Sequence, residues 1–249
     1  MKSLLAALRF LTIVPLPGVW GTAEEDLARS VPWFPLVGLL LGAIAAGLAW
    51  AVALVAPPPV AAAAMVVVLL SFSGCLHLDG LADTADGFLS SRPRERILEI
   101  MKDSHTGAMG VIAIVCVLLM KFASLAALNA AAIRPAVLLM PLAGRCAMVV
   151  HMAVLPYARS NGTAGIFFRH RPRWSALWAA GVLAAAGWIV AGPRGLVAWA
   201  MCMALTLLLS AYADRKIGGA TGDTLGAVCE IIETVPAVVL ALAVQGGAR

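Results

Sequence analysis

Residues 59–76, PVAAAAMVVVLLSFSGCL, are apolar throughout, and residues 77–88, HLDGLADTADGF, follow without a break. The first stretch has the composition of a helix in lipid. The second places Asp79, Asp83 and Asp86 within eight residues of a chain that otherwise avoids charge. The same apolar character recurs outward from this junction. The chain has 249 residues, is 62% hydrophobic and 12% charged, and has a mean hydropathy of +0.95. Apolar runs of about 20 residues are long enough to cross a bilayer as helix, and no soluble domain repeats them along most of its length. The expected fold is therefore all-α: a polytopic integral membrane bundle forming one catalytic domain, 1–249. Residues 1–18, MKSLLAALRFLTIVPLPG, resemble a signal sequence, but Arg9 interrupts the apolar segment and no small-residue cleavage site follows. They read as a retained interfacial or half-buried helix. The five cysteines are scattered and form no CxxC, so neither a zinc site nor a disulfide framework is indicated, and they read as small packing residues.

Seven spans are expected, at 33–55, 59–76, 108–128, 135–155, 175–192, 195–213 and 224–244. Pro and Gly mark joints at APPP 56–59, GPRG 192–195 and IGGATGD 217–223. The short joints make spans 1 and 2, and 5 and 6, antiparallel hairpins; spans 2 and 5 are short enough to be partly re-entrant. With the N-terminus inside, the inner segments carry Lys2, Arg9, Arg29, Arg92, Arg94, Arg96, Lys102, Arg159, Arg169, Arg171, Arg173, Arg215 and Lys216. The outer segments carry Arg134, Arg194 and Arg249. That asymmetry predicts N-terminus in and C-terminus out. The carboxylates, from Glu24 to Asp223, fall on the same inner side, and Glu230 and Glu233 lie roughly 9 and 13 Å into the last span at 1.5 Å per residue. Chemistry is therefore expected at the inner face.

If 77–88 is helical, Asp79, Asp83 and Asp86 stand at i, i+4 and i+7, stacked on one face. Like charges so placed repel unless a cation joins them, and hard oxygen ligands suit Mg²⁺, which commonly takes one or two carboxylates together with substrate phosphates. Gly80 and Gly87 leave room for a phosphate. The alternative is a solvated helix end. A second cluster, MKDSHTGAMG 101–110, offers Lys102, Asp103, Ser104, His105 and Thr106 ahead of a Gly-bearing helix start, where anions bind. His105 suits a general base; the plainer reading is a helix capped by Ser104 or Thr106. A third cluster, KIGGATGDTLGAVCEIIE 216–233, brings Asp223 to the last span and Glu230 and Glu233 into the membrane, where a carboxylate is functional or paired. Glu230 is placed to reach the inner site, and Glu233 to pair with Arg145 mid-span. Lys121 is expected to snorkel outward and His151 to be packed and hydrogen-bonded. The loop 159–174, with Arg159, Arg169, His170, Arg171 and Arg173, reads as an anchor on anionic lipid or a cover over an anionic substrate, and SRPRER 91–96 reads alike.

Clustered carboxylates with Mg²⁺, basic residues and Gly-rich turns suit transfer of a phosphoryl-linked group. LDGLADTADGF, MKDSHTGAMGV and GGATGDTLGAVCE, with the opening ALRFLTIVPLPG, resemble the motifs of the cobalamin synthase family, adenosylcobinamide-GDP ribazoletransferase, over residues 5 to about 240. The resemblance implies attack by the ribose 5′-hydroxyl of α-ribazole, or by its 5′-phosphate, on adenosylcobinamide-GDP with release of GMP. It also implies Mg²⁺ as cofactor and a site facing the cytoplasm at the bacterial inner membrane. Asp79, Asp83 and Asp86 would bind the metal, and His105 or Asp103 would serve as base. Lys102, Ser104, Thr106, Asp223 and Glu230 would line the substrate site. The partners are these substrates and the bilayer, not nucleic acid, and a homo-oligomer is left open. The clustered aspartates also resemble those of CDP-alcohol phosphotransferases, but DGLADTADG lacks the arginine of DGxxAR and the later GxxxDxxxD spacing. The rival class is an ion-coupled transporter using Glu230, Glu233 and Arg145.

Overall fold

The computed structural model describes residues 1–169 and 173–246, so the expectations for His170, Arg171 and Arg249 lie outside the described residues. The chain is a polytopic helical membrane bundle, 78% helix. Its helices are α1 Lys2–Leu11, α2 Glu24–Ala28, α3 Phe34–Ala53, α4 Pro58–Phe72, α5 Leu76–Phe88, α6 Arg94–Ile100, α7 Ala108–Ala126, α8 Ala130–Val154, α9 Trp174–Ala191, α10 Pro193–Ile217 and α11 Gly222–Gly246. Among the described residues the only β-type pairing is a bridge between Tyr157 and Ala220.

Six helices, α3 and α7 to α11, are each long and apolar enough to cross a membrane. The second expected span, 59–76, is shorter than drawn, and its break fits the re-entrant form allowed for it. Its helix stops at Phe72, and α5 turns away from α4 by 88°. The turn is made by two successive left-handed residues, Gly74 (φ +58°) and Cys75 (φ +64°). A Cβ on Gly74 would come within 2.6 Å of the Ile13 side chain, so glycine is required there twice over. Ile13 N–H donates to Phe72 C=O at 2.9 Å and ties the N-terminal segment to this corner. The acidic motif is thus a helix of its own. It lies across the ends of α7 and α11 rather than continuing α4, and we call this the polar end of the bundle.

Two helices form the centre. In α8 and α11 83% of the apolar window is buried, against 22–33% in the other four spans. Small residues allow the approach: Gly144 of α8 faces Cys229 of α11, and Gly38 and Gly42 of α3 lie on the α8 backbone at Pro141 and Leu138. The surrounding helices turn Leu40, Ile44, Leu48, Val67, Ile112, Val115 and Leu119 outward, a surface suited to lipid. α9 and α10 form the expected hairpin with Gly192 alone between them, and α1 packs Ala6, Ala7 and Leu11 inward as a short amphipathic helix.

Among the described residues, four charged groups lie inside the bundle. Lys121 of α7 donates to Glu230 Oε2 at 2.7 Å and Glu233 Oε1 at 2.8 Å, and Arg145 of α8 donates to Glu233 Oε2 at 2.6 Å. All four side chains are buried. Lys121 therefore points inward, contrary to the snorkelling expected of it. Its side chain leans back toward the start of α7, where α11, running parallel, presents both glutamates. Glu233 pairs with Arg145 as expected, whereas Glu230 is held in this quartet.

Candidate active site

α5 is placed by contacts at both ends and along its length. It crosses α11 where a Cβ on Gly80 would strike the Asp223 carbonyl at 2.8 Å and one on Gly226 would strike the His77 carbonyl at 2.8 Å. That close crossing brings Asp79, Asp83 and Asp223 to one place. Lys216 Nζ, at the end of α10, donates to the Phe88 carbonyl at 2.8 Å and fixes the other end of α5. α11 begins with a reciprocal cap. Thr224 N–H donates to Thr221 Oγ1 and Thr221 N–H to Thr224 Oγ1. The Thr221 hydroxyl also donates to Asp223 Oδ2 at 3.4 Å, so the cap orients that carboxylate at the first turn.

Asp223 Oδ2 accepts from Arg159 at 2.7 Å. Arg159 reaches it because Tyr157 and Ala220 pair through Ala158 N–H to Ala220 C=O and Ala220 N–H to Pro156 C=O, both 2.8 Å. Arg94 of α6 then bridges the Ile217 and Ala158 carbonyls at 2.7 and 2.9 Å. The segment after Arg159 is pinned by a ring cluster in which Phe167 meets Phe10 at 4.5 Å and Phe34 at 5.8 Å.

Electrostatics show that the carboxylates have gathered. Burial, then the neighbouring Asp79, Asp223 and Asp86 carboxylates, push the Asp83 carboxyl up to about 6, and Arg159 opposes them. Asp86 has a distinct task. Its Oδ2 accepts from Gly107 N–H at 2.7 Å and its Oδ1 from Gly110 N–H at 2.9 Å. It therefore caps α7 from a different helix, in place of the Ser104 or Thr106 cap expected from the sequence; the residue before α7 is Gly107.

The 101–106 segment stands apart. His105 Nδ1 lies 2.7 Å from Asp103 Oδ1, and hydrogen bonds from His105 hold the Asp103 carboxyl below the usual carboxylate range. Both are exposed, as are Lys102, Ser104 and Thr106. No ion pair or hydrogen bond joins any of these five to the aspartates of α5 or to Asp223 among the described residues. Glu230, expected to line the site, is instead buried with Lys121. The sequence reading had no specific role for Arg159, beyond its membership of a basic loop, nor for His77, Thr221 and Thr224. The signals for the last two were a T-x-x-T spacing ahead of an apolar run.

A cavity of about 150 Å³ adjoins Asp79 and Asp223, with His77, Gly80, Met148, Ala164, Leu225 and Gly226 among its walls. A second, apolar cavity of about 190 Å³ lies farther along α5 against Leu81, Thr84 and Phe88, and the aspartates do not line it. Among the described residues no three His, Cys, Asp or Glu side chains enclose a point where a metal ion would sit. The described residues by themselves do not form a metal cage. The donor set matches the other habit of Mg²⁺, in which one or two carboxylates share the ion with substrate phosphates and water.

The comparisons with known proteins agree over nearly the whole chain. The family description for cobalamin-5-phosphate synthase matches residues 3–241. A protein of Desulforamulus reducens called adenosylcobinamide-GDP ribazoletransferase is 41% identical over 233 residues, covering 94% of this chain and 93% of its own. One of the same name from Roseiflexus sp. is 41% identical, covering 95% and 88%. Another, from Pseudomonas fluorescens, is 40% identical, covering 97% and 100%. No solved structure matches. The acidic α5, the Gly-rich start of α11 and the basic segment between them thus lie within one shared full-length pattern, and the chain belongs to the cobalamin-5-phosphate synthase family.

Proposed function

We propose that the chain acts as a single membrane-embedded transferase that joins α-ribazole, or its 5′-phosphate, to adenosylcobinamide-GDP and releases GMP. The observation that carries this reading is the convergence of Asp79 and Asp83 from α5, Asp223 from α11 and Arg159 from the loop after α8. The names of the relatives support it. The product of the phosphorylated acceptor keeps its 5′-phosphate, as the family name says, so the attacking group is another ribose hydroxyl. Its oxygen bonds to the phosphorus on the corrinoid side of the diphosphate. The bond from that phosphorus to the bridging oxygen breaks, GMP leaves with the electron pair, and the hydroxyl proton passes to a base.

Mg²⁺, held by Asp79 and Asp83 with Asp86 behind them, would neutralise the diphosphate and the developing charge on the leaving phosphate. Arg159, held by Asp223, supplies a guanidinium for the phosphates. Lys102, Ser104 and Thr106, exposed on the segment before α7, would supply further phosphate contacts. The His105–Asp103 pair is the candidate base, its imidazole oriented by the carboxylate. The basic segments around the polar end support a cytoplasmic site in the bacterial inner membrane. The quartet argues against a transporter, because Glu230, Glu233 and Arg145 pair internally instead of facing a central ion path.

The test is to incubate purified protein with both substrates, with and without Mg²⁺, and follow GMP and the joined corrinoid. Metal-dependent formation of both is expected; absence of both sinks the reading. In the same assay His105→Gln should lower kcat about 100-fold, and an unchanged rate would remove the imidazole from the reaction.

A further inference from the structure

His151, near the end of α8, is fully buried, and its ring joins three helices. Nδ1 lies 2.8 Å from Ser210 Oγ of α10, and Nε2 lies 3.2 Å from Thr224 Oγ1 of α11. Both hydroxyl residues are buried too. With the Ser210 hydroxyl on the Thr206 carbonyl at 2.7 Å, His151 donates from Nδ1 to Ser210 Oγ and accepts at Nε2 from the Thr224 hydroxyl. The other tautomer reverses both bonds, turns the Thr224 hydroxyl to the Thr221 carbonyl at 3.1 Å, and still pairs both ring nitrogens. A buried polar network so completely paired fixes one geometry. The chain then runs on to the site. Thr224 Oγ1 accepts from Thr221 N–H at 2.9 Å, and Thr221 Oγ1 accepts from Thr224 N–H at 3.2 Å. The Thr221 hydroxyl donates to Asp223 Oδ2, the oxygen that also accepts from Arg159.

We propose that His151 is a positioning residue for the transfer: by holding Thr224 it fixes the turn 220–224, sets the Asp223 carboxylate, and so aims the Arg159 guanidinium at the diphosphate. The inference rests on the transferase reading. Its force lies in where the ties fall. The turn is held at Ala220 by the bridge to Tyr157 and at Thr224 by His151. Both anchors come from α8 and the segment that leads out of it to Arg159, and Asp223 lies between the two held ends. Without the second tie, the carboxylate and its guanidinium partner would rest on a turn fastened to α8 at one end only. Filling space does not need this chemistry. His151 and Thr224 both line the apolar cavity of about 190 Å³, where a leucine or a valine would pack as well.

The experiment uses the full chain in detergent or nanodiscs. His151→Leu should lower kcat/KM for adenosylcobinamide-GDP about 30-fold, as a small misplacement at a reacting centre does, with KM for α-ribazole unchanged. Thr224→Val keeps its shape and removes the hydroxyl that His151 holds, so it should show the same selective loss. It decides the matter if His151→Leu does not fold. Thr224→Ser restores the hydroxyl and should recover most of the rate. In an Arg159→Lys background, either variant should add no more than about a twofold loss, because the group it misplaces is already altered. Side chains that serve the fold separately would instead show their full effect in both backgrounds. Wild-type kinetics in both variants would overturn the proposal, as would a serine variant no better than valine or full losses beside Arg159→Lys. Wild type that releases no GMP defeats the transferase reading itself, whereas an active wild type whose variants lose both substrates alike defeats only the positioning role.

Discussion

The quartet around Glu233 and the aspartates around Asp83 share α11 and differ in charge balance. In the quartet two cations meet two carboxylates, and each carboxylate accepts a hydrogen bond shorter than 3 Å. At the polar end four carboxylates lie near one guanidinium, and Asp86 is already occupied by two backbone amides. The balanced group lies deep in the bundle, joins α7, α8 and α11, and leaves no charge for a ligand to satisfy. The unbalanced group is partly open to water and has charge left over. Burial with complete pairing marks structure, and crowding without a partner marks a binding site.

The largest effect is expected at the unbalanced group. Asp83→Ala should reduce turnover by about 1,000-fold or more, as loss of a metal or phosphate clamp does, while the folded protein elutes and melts as wild type. Turnover within tenfold of wild type would remove Asp83 from the mechanism. The quartet should respond in the opposite way. Glu233→Gln leaves Arg145 and Lys121 with an excess positive charge inside the bundle and should destabilise it by about 3–5 kcal/mol. Turnover per folded molecule should hardly change. Lys121→Met combined with Glu230→Gln removes one charge of each sign, so the pair should cost less than the sum of the singles in a double-mutant cycle. Strict additivity there would show that the two side chains do not act as a unit.

These two groups were unequally legible. The spacing of Asp79, Asp83 and Asp86 fixes a common helical face wherever the helix lies, so the acidic stripe could be read directly from the sequence. The direction of that helix could not. The turn depends on Gly74 and Cys75 adopting left-handed angles beneath Ile13, sixty residues earlier in the chain. Lys121 was misread for a similar reason. A lone lysine in an apolar run gives no sign of its partners, and Glu230 and Glu233 reach it only because α7 and α11 run parallel in one register. Arg159 looked like one basic residue among several; its place beside Asp223 is set by the Tyr157–Ala220 bridge and the Phe10–Phe34–Phe167 cluster. Asp86 belongs on the aspartate face by spacing, yet caps α7, which begins only at Ala108.

That double identity makes Asp86 the residue that tests where the boundary between the two kinds of group falls. Asp86→Asn keeps one acceptor oxygen and loses the charge. If capping is its main task, the melting temperature should fall by the equivalent of about 1 kcal/mol, and turnover should fall less than in Asp83→Ala. Unchanged melting with turnover as low as in Asp83→Ala would place Asp86 with the ligand-binding carboxylates instead.

The smallest effect concerns protons. The Asp83 carboxyl stands at about 6 against an ordinary value of 3.8. Between those values the unfolded chain carries an ionised Asp83, while the native protein keeps it protonated. The native state then binds the extra proton, so this group's contribution is fully present below about pH 4 and is lost as pH rises through 6. Asp83 is partly exposed, which limits the effect to about 1 kcal/mol or less. Without divalent cation, the melting temperature should therefore decline by a few degrees between pH 5 and 7.5, by about 2–4 °C at most. Mg²⁺ should reverse the decline by supplying the missing positive charge. Asp83→Asn should remove its share of the slope, since an amide does not titrate, and should also remove most of the response to Mg²⁺. A slope that survives this substitution would assign the titration to another carboxyl, and a metal response that survives would show that the crowding at Asp83 does not attract the cation.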